Sequence, residues 1–300
     1  MARNYAMAYD CNLMTVPDLN EETIGKEISA VEAIVKSMSQ EQRRILLLEV
    51  IRCVELKHKS LGNFNETEKA VKTLIENAVS PMSKFHAKGR SGQAVSCIGI
   101  HVPVEHITEA IIYRDVAYPT YCYNLNIMSS ALVQKDQSYD ALKAVELGAD
   151  EFEVYMDEVL VQRKDWRSAY NRLVSLRTVC GSECKMRTAI QIDLCENGVD
   201  IYRATMTALM AGASTIAVAT SPSSQLCFKK TTAACHAIKN FFVHTNRMAG
   251  FAYSSGIMDA NKAFIGYKLV GKVLGEKWST SEMLRFSDSR MLDSLVGTYE

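Results

Sequence analysis

Acidic residues and one histidine follow short apolar runs typical of buried strands, and these residue types could do metal chemistry. They are Glu55, His101, Glu153, Asp157 and Asp193. Carboxylate and imidazole groups bind divalent cations, and such a cation would act as the electrophile in an aldol or isomerase reaction. In the alternative interpretation, Glu55 and Glu153 are merely hydrogen-bonded and His101 caps a helix. Because spacing at strand ends does not prove convergence, we expect no metal and no cofactor.

Cysteine usage indicates reduced thiols. The nine cysteines lie mostly inside apolar runs, and their number is odd. Only Cys180 and Cys184 form a close pair, and a single Cys-x-x-x-Cys is a weak zinc signal. The pattern therefore predicts free thiols in a cytoplasmic protein.

Short β-rich runs alternate with amphipathic segments from residue 94 onward, and these elements must position the polar residues. The predicted strands cover 94–100, 119–126, 151–156, 185–192, 214–219, 249–254 and 283–286. The predicted helices cover 104–114, 138–147, 165–179, 200–210, 231–242 and 261–273. This regular alternation predicts a parallel sheet.

The number of units favours an α/β fold of the (β/α)8 TIM-barrel type. Residues 46–56 precede these seven strands and could supply the first strand of an eight-stranded barrel, although their periodicity fits a helix equally well. No Gly-x-Gly-x-x-Gly run follows a strand, which argues against a dinucleotide-binding sheet. We predict a single domain over 1–300, with an N-terminal helical extension (1–43) and the barrel (44–300). Working residues would then lie at the carboxyl ends of the strands.

The balanced charge and the lack of long apolar runs argue against nucleic acids and membranes as partners. Lys plus Arg equals Asp plus Glu at 34 each, which predicts no bulk binding to nucleic acid or to an anionic membrane. No apolar run approaches the roughly 18 residues that span a bilayer. Apolar residues make up 48% of the chain, which is ordinary globular composition.

Several runs in register resemble the 2-deoxyribose-5-phosphate aldolase family over roughly 46–295. The run 148–154 (GADEFEV) is similar to the family's strand-four motif. The runs 202–204 (YRA) and 210–213 (MAGA) are similar to the helix that leads to its catalytic strand, and 241–242 and 250–251 follow at the right distances. The resemblance implies a (β/α)8 barrel and a phosphorylated sugar substrate.

The family's reaction needs two lysines, and both positions hold alanine here. One lysine forms a Schiff base with the aldehyde, and the second is thought to lower the pKa of the first. The matching positions in this chain are Ala217 on strand six and Ala252 on strand seven. Glu153 replaces the acid/base aspartate on strand four and is one methylene longer. A methyl group cannot form an imine.

The resemblance also assigns substrate-binding positions, and most of them depart from the family's motifs. Glu55 and Lys57 replace an Asp-x-Thr, Asn126 begins a divergent run after strand three, and Pro222 stands about where a further lysine would be. The remaining implied positions are Thr220, Ser221, Ser255, Gly256, Ser287, Asp288 and Ser289. The Asp288 carboxylate would repel a substrate phosphate, and Arg290 would offset part of that repulsion.

The leading hypothesis is an aldolase-like pseudoenzyme that acts by binding. A small phosphorylated ligand, a protein partner such as actin (by analogy with other aldolases) and a homodimer are the partners considered. One alternative is an active aldolase of deoxyribonucleotide catabolism with a displaced lysine. The other is a metal-assisted enzyme at the same barrel mouth. The lysines considered for displacement are Lys57, Lys59, Lys185, Lys229 and Lys230.

Overall fold

The computed structural model describes residues 4–17, 19–57, 64–82, 95–121, 124–131, 137–220, 227–257, 259–287 and 289–298. Its strands are β1 (Glu55–Lys57), β2 (Gly99–His101), β3 (Asn126–Ser130), β4 (Glu151–Tyr155), β5 (Lys185–Gln191), β6 (Thr215–Ala219), β7 (Gly250–Tyr253) and β8 (Leu284–Phe286). They form one parallel sheet in sequence order. A parallel bridge between Val54 and Phe286 joins β8 back to β1. The predicted (β/α)8 barrel is confirmed.

Helices surround the barrel and precede it. They are α1 (Glu21–Ser37), α2 (Gln40–Arg52), α3 (Phe64–Val79), α4 (Ile107–Ala117), α5 (Gln137–Glu146), α6 (Glu158–Gln162), α7 (Trp166–Cys180), α8 (Gly198–Met210), α9 (Phe228–Thr245), α10 (Ala260–Leu274) and α11 (Ser289–Thr298). Short 3-10 turns cover Val104–His106, Pro119–Tyr121, Ile192–Leu194 and Glu276–Trp278. The helical N-terminus is confirmed.

The ambiguous run 46–56 holds both a helix and a strand. Ser39 begins α2 with a capping box, in which its hydroxyl accepts from the Gln42 amide and its own amide donates to the Gln42 side chain. The helix ends at Arg52, and β1 begins at Glu55. The boundary at residue 43 therefore falls inside α2.

The third strand lies later in the chain than predicted. The run 119–126 is rich in tyrosine and has high β propensity, but residues 119–121 form a 3-10 turn. The observed strand is the more polar Asn126–Ser130. It is stable there because Ser129 is buried with its hydroxyl donated to the Val102 carbonyl at 2.8 Å. Packing in the barrel thus outweighs local propensity.

The N-terminal segment crosses the end of the barrel at which the strands begin. The buried Asn4 side chain donates to the carbonyls of Ala213 (3.1 Å) and Met248 (2.9 Å). Gly212 has φ +96°, and a β-carbon there would come within 2.7 Å of the Ala6 nitrogen. Glycine at 212 therefore permits both the turn after α8 and the close passage of this segment.

Side chains alternate along the strands between the helix layer and the barrel interior. In β4, Phe152 and Val154 belong to the apolar core, while Glu151, Glu153 and Tyr155 contact residues of other strands inside the barrel. This follows the two-residue period of a strand. Polar residues of neighbouring strands are thereby gathered inside the barrel.

Candidate functional site

Glu55 is the centre of a buried ion-pair network. Arg187 holds its carboxylate with two hydrogen bonds, of 2.6 Å to Oε1 and 2.7 Å to Oε2. Arg285 donates to Oε1 at 2.7 Å, and the Ser287 hydroxyl donates to Oε2 at 2.6 Å. Burial works to raise the pKa of Glu55, but the charge and hydrogen bonds of Arg187, with help from His101 and Arg285, hold it well below its usual range.

Glu151 extends the network away from the mouth. Its carboxylate accepts from Arg187 Nε at 2.9 Å and lies 3.7 Å from Arg285 Nη1. Arg187 is wholly buried and also approaches Glu153 at 3.8 Å. Such a network is tolerated in a core only because its charges are paired and hydrogen-bonded.

Glu153 lies at the mouth with its carboxylate surrounded by donors. Lys57 Nζ (3.4 Å), the Ser130 hydroxyl (3.3 Å) and the Tyr155 hydroxyl (3.4 Å) approach Oε1. The Ser254 hydroxyl donates to Oε2 at 3.0 Å. Burial acts to raise the pKa of Glu153, but the charges of Lys57, His101 and Arg187 outweigh it and lower the pKa to about 2. Glu153 is therefore ionised and hydrogen-bonded.

His101 lies between the two acidic centres and does not cap a helix, so the expected cap is wrong, although Glu55 and Glu153 are hydrogen-bonded as that interpretation expected. Its Nε2 is 3.2 Å from Glu55 Oε2, and its Nδ1 is 3.3 Å from the Ser130 hydroxyl. Burial and the charge of Lys57 lower its pKa, against the opposing effect of Glu55 and Glu153. The imidazole is accordingly neutral near pH 7.

Three alanines face the interior from neighbouring strands. Ala189, Ala217 and Ala252 are register partners on β5, β6 and β7, and all three are buried. Tyr155 packs against this cluster. Burial, followed by the negative charge of Glu153, raises the pKa of the Tyr155 hydroxyl. A tyrosine ring thus adjoins the two positions where the resemblance places lysines.

Asn126 is misplaced in the sequence-based prediction. It is the first residue of β3 and not the last, so it lies at the opposite end of the barrel from the mouth. Its side-chain amide donates to the Ile98 carbonyl at 3.3 Å. The expected role for Asn126 in binding substrate at the mouth is therefore wrong, because the strand boundary was wrong.

The positions implied for phosphate binding are partly engaged inside the protein. The Ser255 hydroxyl donates to the Thr220 carbonyl at 3.0 Å and accepts from the Thr220 amide at 2.7 Å. The Ser287 amide donates to Tyr253, and its hydroxyl is bound to Glu55. Gly256 has φ +87°, and Ser289 is the first residue of α11. Ser221, Pro222 and Asp288 lie outside the described residues.

The candidate displaced lysines differ in position. Lys185 begins β5 at the end opposite the mouth, and Lys59 lies outside the described residues. Lys230 Nζ donates to the carbonyls of Ile192 (3.2 Å) and Cys195 (3.0 Å), while Lys229 passes close to Gly25 of α1. Lys57 differs from these in contacting Glu153 at the mouth.

The structure does not bring the five proposed metal ligands together. Asp157 accepts from the amides of Val159 and Leu160 at the start of α6 and pairs with Arg172. Glu55 is held by arginines, as above. In the part of the chain that the structure describes, no group of three or more His, Cys, Asp or Glu side chains is arranged to hold a metal ion. The eight cysteines within the same residues are free thiols.

Sequence reasoning missed Arg187, Arg285, Tyr155, Ser130 and Ser254. A signal was present for the first three, because each lies inside a β-rich run at a position that alternates with apolar residues. Charge inside a predicted buried strand implies an ionic partner on another strand. Ser130 was missed because β3 was predicted to end at Asn126. Ser254 directly follows β7, and no motif in the sequence distinguishes it from its neighbours.

Sequence comparison finds relatives among the deoxyribose-phosphate aldolases. The chain is 29% identical over 150 residues to the Bos taurus enzyme. This segment covers 50% of this chain and 47% of that one. It is 29% identical over 153 residues to the Homo sapiens enzyme, covering 51% and 48%. The matched segment thus spans about half the length of these curated relatives. No protein-family model matches the chain.

Solved structures share the fold. A Toxoplasma gondii protein, provisionally named a deoxyribose-phosphate aldolase, superposes with TM-score 0.69 at 16% identity, over 87% of this chain and 96% of that one. The Aeropyrum pernix deoxyribose phosphate aldolase gives TM-score 0.54 at 11% identity, over 85% and 97%. Among the residues described, no helix is long and apolar enough to cross a membrane.

The closed parallel sheet and the mouth at its carboxyl edge define a (β/α)8 barrel, the fold that these solved structures share. The sequence relatives give a more specific likeness. Over about half of its length the chain is similar to deoxyribose-phosphate aldolases, in agreement with the resemblance carried by 148–154 and 210–213.

Proposed function

We propose that this protein does not cleave 2-deoxyribose 5-phosphate and acts instead by binding at its barrel mouth. The observation that carries the proposal is the buried alanine cluster. Ala217 and Ala252 are buried and offer no amine, and the Tyr155 side chain packs against their cluster. Loss of the nucleophile lowers kcat by a factor on the order of 10⁶ in well-studied enzymes.

The mouth keeps groups that suit a binding role. Lys57, Ser130 and Tyr155 are partly exposed and surround an ionised Glu153. A small phosphorylated ligand is the first class that we propose. A protein partner (actin, by analogy with other aldolases) and homodimerisation are further proposals, and the many free thiols support a cytoplasmic location.

The test is a retro-aldol assay with 2-deoxyribose 5-phosphate, read by acetaldehyde release. Borohydride trapping in the same mixture, read by intact-protein mass, reports any imine. We expect neither acetaldehyde nor an adduct. Release of acetaldehyde at a rate comparable to the curated relatives would overturn the proposal. Circular dichroism of the same sample shows that a negative result comes from folded protein.

A repair series tests how much of the site has changed. We expect the double variant Ala217→Lys/Ala252→Lys to gain at most trace turnover, because Glu153 is longer than the family's aspartate. A displacement of about 1 Å in such a site can cost on the order of 10²-fold in rate. Adding Glu153→Asp and Asp288→Ala should raise kcat/KM further. Family-level activity in the lysine double variant alone would contradict this expectation.

A displaced lysine is the second candidate, and the contact of Lys57 with Glu153 favours it. An amine 3.4 Å from a carboxylate at the mouth could form an imine with Glu153 as the proton acceptor. Trapping distinguishes the two candidates. An adduct mapped to Lys57, absent in Lys57→Met and present in Lys229→Met, would support the displaced lysine and overturn the binding-only proposal.

A further inference from the structure

Three inward-facing side chains form a continuous hydrogen-bonded row that runs from the mouth into the barrel interior. The Ser130 hydroxyl lies 3.3 Å from His101 Nδ1, and His101 Nε2 lies 3.2 Å from Glu55 Oε2. Ser130 ends β3, His101 ends β2 and Glu55 begins β1. The spatial order is therefore hydroxyl, imidazole, carboxylate. That is the order of a nucleophile, its base and the group that orients the base.

The carboxylate determines which imidazole nitrogen can accept a proton. An ionised Glu55 only accepts hydrogen bonds, so the nitrogen facing it, Nε2, carries the hydrogen. Nδ1 then presents its lone pair toward the Ser130 hydroxyl, whose single hydrogen can be donated either to Nδ1 or to Glu153 Oε1. Arg187 and Ser287 fix the position of Glu55, and its orientation is therefore set before any ligand arrives.

Ser130 is not fully buried, and donors lie near it. Ser130 is partly exposed at the end of its strand. Three groups lie within 3.4 Å of Glu153 Oε1. They are the Ser130 hydroxyl, Lys57 Nζ and the Tyr155 hydroxyl. An ammonium and a phenol hydroxyl thus surround the carboxylate oxygen that the serine also approaches, and these are the donors that a developing oxyanion would use.

We propose that the mouth performs acyl transfer on small carboxylic esters, with Ser130 as the nucleophile, His101 as the general base and Glu55 as a positioning residue. This activity is separate from aldol cleavage. Either activity can occur without the other. Aldol cleavage through an imine uses no serine, and hydrolysis of an ester through Ser130 needs no imine.

The reaction balances without any co-reactant besides water. Ser130 Oγ bonds to the ester carbonyl carbon as its proton passes to His101 Nδ1, and Lys57 and Tyr155 stabilise the oxyanion. The carbon–oxygen bond to the alcohol then breaks, and His101 returns the proton to the leaving alcohol. Water attacks the acyl-serine with the same base, and this step releases the carboxylic acid and restores Ser130.

The acidic limb of the pH profile should lie below pH 6.5. The charged groups that face His101 are Glu55 and Lys57 of β1, Glu153 of β4 and Arg187 of β5. Burial and Lys57 lower the pKa of His101 more than the carboxylates raise it. The neutral base therefore persists to a lower pH than in a free histidine.

The experiment uses p-nitrophenyl acetate and a fluorophosphonate probe on the full chain, with peptide mapping of the labelled residue. We expect one phosphonate per chain on Ser130 and a burst of p-nitrophenol. Ser130→Ala should lose the label, and His101→Gln should lower the labelling rate about 10²- to 10⁴-fold. Ser129→Ala is the matched control, because its hydroxyl bonds to Val102 and does not face His101.

Glu55→Gln tests the positioning role. Removing the anion removes an influence that raises the pKa of His101, so the acidic limb should move to lower pH. A purely structural role would reduce the labelled fraction and leave the limb in place. Folded wild-type protein without label, or label that survives in Ser130→Ala, would overturn the proposal. The retro-aldol assay is scored separately, so either result stands without the other.

Discussion

The barrel interior has two unlike walls. The charged wall consists of Glu55, His101, Ser130 and Glu153 on β1 to β4, joined by hydrogen bonds between neighbouring strands. The alanine wall consists of Ala189, Ala217 and Ala252 on β5 to β7, and its side chains bear no polar group. One wall carries titratable chemistry, and the other is covered by Tyr155.

The contrast teaches that the fold and the chemistry depend on different residues of the same strands. On β6 and β7, Ile216 and Phe251 still fill the apolar layer beneath the helices. The neighbouring inward positions hold only Ala217 and Ala252. The sheet therefore keeps its register although the interior positions have changed, because outward packing supplies the hydrophobic stabilisation.

Removing Arg187 of β5, which pairs with the carboxylates of the charged wall, should have the largest effect. Arg187→Met leaves Glu55 and Glu151 buried with fewer partners, and breaking a buried pair typically costs about 3–5 kcal/mol. Urea unfolding measures this loss. Lys26→Met is the control, because its pair with Glu22 is about three-quarters exposed and should contribute nothing measurable. Equal stability of the two variants would show that the network is not part of the fold's stability.

Acid should weaken the charged wall selectively. The pKa of Glu153 is about 2 in the folded state, against an ordinary value of 4.5. A lowered carboxyl pKa gives stability that is present above pH 4.5 and is lost as the pH falls toward 2, on the order of 3 kcal/mol. The free energy of unfolding should therefore fall less steeply over this range in Glu153→Gln than in wild type. Glu22→Gln is expected to keep the wild-type slope.

The alanine wall should resist a lysine as long as Tyr155 covers it. Overpacking a core costs about 1–3 kcal/mol, so Ala217→Lys should lower stability by that order. The stability lost through Ala217→Lys should be smaller when Tyr155→Val is also present. We expect a coupling free energy between the two substitutions of at least about 0.5 kcal/mol. Ala30→Lys, on an exposed face of α1, should show no coupling with Tyr155. Additive effects of Ala217→Lys and Tyr155→Val would show that the ring does not fill this space.

The smallest effect is expected away from both walls. Asn126→Ala removes one hydrogen bond to the Ile98 carbonyl at the far end of the barrel and should cost about 1 kcal/mol. The labelling rate of Ser130 by the phosphonate probe should stay unchanged. A loss of labelling with intact stability would place Asn126 at the mouth after all.

The sequence alone determined the barrel, and the family resemblance located the positions at which lysines were expected. The strand-helix alternation predicted the eight-stranded fold, which depends on local periodicity. Counting along the chain from Gly212, against the motifs of the family that it resembles, identified Ala217 and Ala252. The strand β3 escaped prediction because Ser129 and Ser130 have low β propensity and are held by partners on other elements.

Only the tertiary structure decided what the polar residues do. Glu55 and Arg187 are separated by 132 positions, and no pattern near either residue indicates the other as its partner. The same holds for His101 and Ser130, whose contact depends on where β3 begins. Closing the sheet brings inward side chains of distant strands within hydrogen-bond distance, and burial then makes their pairing obligatory. Sequence therefore specified which strands form, while closure of the barrel specified which side chains meet.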